Sequence, residues 1–171
     1  MGYRRFFALA ALAGLGGCVS PVGMQPHVAP ASPVFDPVAF FAGKTHGTGV
    51  LHVIASKPRQ TDVVGYGTSP SPEAITLDQQ VRQGDAAATH RTWHLHRIAP
   101  GRYVGTLTDA IGPVTAESAG AELIIRFTMR HGLKVVQHLY LQSGGRTAVN
   151  TMTVRKWGIV VARLDERIER I

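Results

Sequence analysis

The sequence predicts an all-β domain, a single antiparallel up-and-down barrel of about eight or nine strands. Three observations carry this reading. Polarity alternates with a period of two, most plainly in "GAELIIRFTMR" at residues 120–130. There Leu123, Ile125, Phe127 and Met129 face one way, while Glu122, Arg126, Thr128 and Arg130 face the other. Turn signals then recur about every ten residues, the spacing of a meander. Finally, small residues occupy strand positions: Gly47, Gly49, Gly65, Gly67, Gly105 and Ala148. They read as the bulges and sharp bends a small barrel needs, with room for a ligand as the alternative use.

Before the barrel come two segments of other character. Arg4 and Arg5 precede an uncharged run rich in Ala, Leu, Phe and Gly from Phe6 to Gly17. That run is shorter than the roughly 20 apolar residues a membrane-spanning helix needs, so residues 1–17 read as an export signal. It ends in "LGGC", and Cys18 is the only cysteine in the chain. The ending resembles the lipobox of bacterial lipoproteins, which implies that Cys18 is lipidated and becomes the first mature residue. Two or more acyl chains would hold it firmly to a membrane. Val19 stands where an Asp often retains lipoproteins at the inner membrane, so the resemblance implies the outer membrane, facing the periplasm. Residues 18–37 contain five prolines and no apolar period, and read as a tether. The barrel is expected over residues 38–171.

Within the barrel the strands follow in order. "KTHGTGVLHVI", "TDVVGYGT" and "AITLDQQVRQ" have strand character. "ATHRTWHLHRI" and "RYVGTLTDA" flank Pro100-Gly101, a hairpin signal. The strand at 120–130 turns at His131-Gly132 into "LKVVQHLYLQ", where Val135, Gln137, Leu139 and Leu141 form the more apolar face. "SGGR" turns the chain into "TAVNTMTVRKW". In "VARLDERIERI", Val161, Leu164, Ile168 and Ile171 fit a helical face, but alternation of Ala162, Leu164 and Ile168 with charged residues favours a closing strand. That strand puts Glu166 on the apolar side, where a carboxylate needs a reason to be. Closure of the sheet removes its exposed edges.

Several pieces, taken in order, carry a family resemblance: "FFAGKTHGTG" at 40–49, "LDQQV" at 77–81, "RTW" at 91–93, "GRYVGTLTDAIGPV" at 101–114, "TMTVRKWG" at 151–158 and "LDERI" at 164–168. Together they resemble a family of proteobacterial lipoproteins catalogued only as a domain of unknown function. The resemblance implies a lipocalin-like barrel and no particular activity. Gln79 and Ala121 depart from the family's commoner acidic residue and Asn, which implies a less acidic interior.

The net charge is +7 and falls to +5 without Arg4 and Arg5, a balance suited to anionic headgroups or acidic polymers. The basic residues are scattered and no recognition motif is present, so nucleic acid is not expected. No phosphate loop, dinucleotide fingerprint, nucleophile elbow or zinc spacing occurs, so no cofactor and no metal is assigned. His94 and His96 share a strand face, with His52, His90 or His138 as further ligands, but scattered histidines without a nearby acidic ligand also suit a solvated face.

The candidate ligand-binding residues are Arg91, Trp93, Tyr103, Asp109, Phe127 and Asn150. Arg91 and Trp93 share a face. They either bind a carboxylate or phosphate headgroup or stack to close one barrel end, and the second use is favoured. Asp109 ends a strand, where it either caps backbone amides or joins Arg91 or His94 in acid–base chemistry. An inward Asn150 needs hydrogen-bond partners. The preferred function is a membrane-anchored envelope lipoprotein whose barrel binds an apolar or amphipathic molecule such as a lipid or fatty acid. The alternatives are a solid barrel that docks a protein partner and, third, an enzyme acting on a lipid or other small molecule.

Overall fold

The computed structural model describes residues 34–171, so the export signal, Cys18 and most of the tether lie outside the described residues. A short helix, α1 (Pro37–Phe41), precedes ten strands. These are β1 (Gly43–Val53), β2 (Arg59–Ser71), β3 (Ala74–Gln83), β4 (Thr89–Ala99), β5 (Arg102–Leu107), β6 (Val114–Ala119), β7 (Glu122–Met129), β8 (Leu133–Leu141), β9 (Thr147–Lys156) and β10 (Ile159–Arg170). Each strand pairs antiparallel with its neighbours in sequence, and β1 pairs with β10 to close a lipocalin-like barrel. Closure aligns Thr45 with Arg170 and Leu51 with Leu164. The all-β barrel is as expected, with ten strands rather than eight or nine. The additional strand is β6, whose alternating Val114, Ala116 and Ser118 are too short and too small a set to stand out without a partner.

The period of two sets the inward faces. Leu123, Ile125 and Phe127 are buried and stand beside Leu139, Gln137 and Val135 of the next strand, which are buried too. Arg126 points outward and is exposed. The C-terminal segment is a strand, with Leu164, Glu166 and Ile168 inside. Outer positions such as Asp62, Asp78, Glu117, Asp165 and Arg167 are exposed. This polarity is the reverse of a transmembrane barrel, whose outer face is apolar.

The expected bulges lie elsewhere. Register shifts fall at Thr68/Ser71, Arg97/Ala99 and Val160/Ala162, away from Gly47, Gly49 and Gly105. The glycines serve close approach instead. A Cβ on Gly67 would strike the carbonyl oxygen of Phe41, and one on Gly47 would meet the Glu166 carboxylate.

One end of the barrel is plugged. Asp36 caps α1 by accepting from the Val38 amide at 2.9 Å, and Pro37 opens the first turn without losing a hydrogen bond. Phe35 is fully buried, donates its amide to the Gly120 carbonyl at 2.8 Å and packs on Phe40 at 5.0 Å between ring centroids. Residues 35–37, expected in the tether, therefore belong to the barrel. Proline and a short turn of helix carry no apolar period, so only the packing of Phe35 reveals them.

Candidate functional site

Between the plug and the opposite, open end lies a cavity of about 330 Å³. The interior is hollow, within the size range of small-molecule sites. Its walls are mostly apolar, and two small polar groups face into it.

The first group stands on β3 and β4. Gln79 Oε1 accepts from Arg91 Nε at 3.0 Å and from Trp93 Nε1 at 2.8 Å. The Arg91 guanidinium lies over the Trp93 ring, 5.8 Å from its centroid, and Trp93 meets Phe127 edge-on at 5.5 Å. The Arg–Trp stack expected from the sequence is thus present, but it does not close the barrel end. Phe35, Phe40 and Phe41 do that. Burial lowers the pKa of Arg91, against the opposing pull of the Glu166 and Asp109 charges, and the group stays protonated. Among the described residues its only hydrogen bond is the one from Nε, which leaves Nη1 and Nη2 without a protein partner on a side chain that lines the cavity.

The second group stands on β8, β9 and β10. Asn150 Nδ2 donates to Glu166 Oε2 at 2.9 Å and to Gln137 Oε1 at 3.3 Å. All three residues are buried. Asn150 Oδ1 and Thr61 Oγ1, both at the cavity wall, have no partner among the described residues. Burial raises the Glu166 pKa, opposed by the Asn150 hydrogen bond and the Arg91 charge. Gly47 supplies the room this side chain needs.

A raised folded-state pKa has a definite sign. Its contribution to stability is complete below the ordinary glutamate range and is lost as pH climbs through the raised value, because the unfolded chain releases the proton first. Glu166→Gln keeps an acceptor for Asn150 and carries no charge. It should flatten the decline in stability from acid toward neutral pH. Urea melts that decline equally in both proteins would remove Glu166 as the cause.

Arg91, Trp93, Phe127 and Asn150 all line the cavity. Tyr103 and Asp109 do not. Tyr103 points inward at the plugged end, with its hydroxyl donating to Asp36 at 3.4 Å beside Arg97, which donates to the same carboxylate at 2.7 Å. Asp109 is exposed in the β5–β6 turn and makes no side-chain hydrogen bond among the described residues, so it neither caps amides nor pairs with Arg91 or His94. His94 and His96 are exposed on the outer wall, where His94 shares a hydrogen bond with Thr76. No three potential metal ligands converge among the described residues. Gln79, Gln137 and Glu166 complete the site without having been candidates. Their signals were a polar residue on an apolar strand face and, for Gln79, a departure from the family pattern.

Two solved structures share the fold. The S-type phycobiliprotein lyase CPES from Guillardia theta superposes with a TM-score of 0.62 at 6% identity, over 78% of this chain and 90% of that one. Rv2717c from M. tuberculosis superposes with a TM-score of 0.58 at 14% identity, over 80% and 99%. No curated protein matches the sequence. Residues 12–170 match the family described as "Protein of unknown function (DUF3833)".

Proposed function

Because the chain belongs to the DUF3833 family, whose description names no activity, we propose a function from the barrel itself: an envelope lipoprotein, anchored through Cys18 at the outer membrane, that holds an amphipathic molecule with an acidic head. The single observation that carries the ligand is Arg91. It lines an apolar cavity, and its two terminal nitrogens, free of protein partners among the described residues, form the planar fork that matches a carboxylate or phosphate. The apolar walls suit an acyl or other hydrocarbon tail. Burial raises the Glu166 pKa, which lessens the charge that would repel an acidic head.

A fluorescent fatty acid and its methyl ester test this. The delipidated protein is expected to bind both. Arg91→Ala should weaken the acid by about ten- to a hundredfold, the range of a hydrogen bond to a charged group, and leave the ester unchanged. Uptake of neither probe by the folded protein would overturn the ligand reading. Equal loss of both would remove Arg91 from head recognition. The anchor is tested separately. Cys18→Ser should leave an uncut precursor that takes up no labelled fatty acid, and continued lipidation at the same place would refute it.

A further inference from the structure

The open end of the barrel carries an apolar and basic rim that neither the core nor the cavity uses. Eight large apolar side chains stand exposed among the described residues, and four of them, Ile54, Ile111, Trp157 and Ile159, lie in or beside turns at this end. Trp157 is the extreme case, 87% exposed at the tip of the β9–β10 hairpin. Its φ is 51° and that of Gly158 is 84°, the type I′ pattern that Asn, Asp or Gly fills most easily. A tryptophan is an expensive choice there. Lys156 Nζ lies 4.7 Å from its ring centroid. Among the described residues, the other non-glycine positions with positive φ, Ala55 and His131, sit in turns at the same end.

Charge completes the pattern. The turns β1–β2, β9–β10 and β7–β8 are consecutive around the rim, since β1, β10, β9, β8 and β7 are neighbours in the barrel. They present Lys57, Arg59, Lys156 and Arg130, and just below them Lys134 faces Arg155 across β8 and β9. None of these three turns contains an acidic residue. Asp85 and Asp109 lie on the two remaining turns. Indole at a polar boundary, flanked by isoleucine and a one-signed cluster of cations, is the chemistry of an anionic lipid surface. The exposed charges along the strands' outer faces keep the rest of the barrel in water.

We propose that this rim, tipped by Trp157, docks onto the surface of a bilayer that carries anionic phospholipid. Docking there would bring the cavity mouth to the lipid, yet the surface contact stands whether or not the cavity holds a ligand. The proposed anchor permits it. The sixteen residue-to-residue steps from Cys18 to Val34 reach about 55 Å when extended, more than the roughly 36 Å of an eleven-residue strand. The chain leaving the plugged end can therefore turn the open end toward the same membrane.

The two tryptophans, Trp93 inside and Trp157 outside, make the test direct. Full-length protein is mixed with vesicles of phosphatidylglycerol or of phosphatidylcholine, each containing lipids brominated on the acyl chain. On phosphatidylglycerol the emission should shift to shorter wavelength and be quenched, with the effect lost at high salt. Reversing Lys57, Arg130 and Lys156 together to Glu should weaken the quenching response more than about tenfold. Ile171→Ala, at the plugged end, should leave it unchanged. Trp157→Phe should abolish the wavelength shift, and Trp93→Phe, which leaves Trp157 as the reporter, should keep both shift and quenching. Quenching seen in Trp157→Phe but not in Trp93→Phe would come from lipid reaching Trp93 in the cavity, which overturns the docking surface while supporting the ligand. Emission from Trp157 that stays that of exposed indole on both lipids also overturns the proposal, and so does equal quenching on both. Burial of Trp157 by protein concentration alone, without vesicles, would assign the patch to a second copy of the chain instead.

Discussion

Ile125→Asp is expected to unfold the protein. Ile125 is 4% exposed on the inner face of β7, opposite Gln137 of β8 and among apolar side chains. A carboxylate there meets no cation opposite it on β6 or β8, where Ala116 and Gln137 stand, and sits out of water, which costs several kcal/mol. That is a large part of the 5–15 kcal/mol by which a typical domain is stable. Arg126→Gln, one residue along, removes only an exposed ion pair to Glu117 at 3.5 Å and should cost less than about 1 kcal/mol. Thermal melts followed by circular dichroism distinguish the two. A wild-type melting temperature for Ile125→Asp, with collapse of Arg126→Gln, would invert the assignment of the barrel faces.

Phe35→Ala should cost about 3–5 kcal/mol, the usual penalty for emptying a buried aromatic site. The side chain is fully buried, its backbone is tied to Gly120 and Ser118, and its ring holds Phe40 in the plug. Val34→Ala, at a residue 63% exposed, should stay within about half a kcal/mol. Urea denaturation measures both. If Phe35→Ala matches Val34→Ala, the segment before α1 is dispensable, and the folded unit begins at Val38 as the tether boundary suggested.

These two residues mark the division between what was legible and what was not. Ile125 lies in a strand whose alternation is plain in the sequence, and its inward direction followed from parity alone. Phe35 lies between prolines in a stretch without period. Nothing local distinguishes its buried ring from a solvated one, because the groove it fills is made by residues about 85 positions further along.

The candidate site divides in the same way. By itself the sequence determined that the domain is an antiparallel barrel, that Arg91 and Trp93 share a strand face, and that Phe127 belongs to an apolar inward stripe. Alternation and turn chemistry are properties of neighbouring residues, so a single strand carries them. Only the tertiary structure decided where along the barrel each inward side chain sits. Tyr103 points inward as its parity requires, but at the height of the plug, where Asp36 takes its hydroxyl. Glu166 shares the apolar side of β10, as the sequence showed, and its reason lies on two other strands. Asn150 donates to it, and Gly47 clears its space. Strand pairing and α1 set these heights, and both depend on residues far apart in the chain. The in-or-out position of a side chain is local information, whereas its depth in the barrel is not.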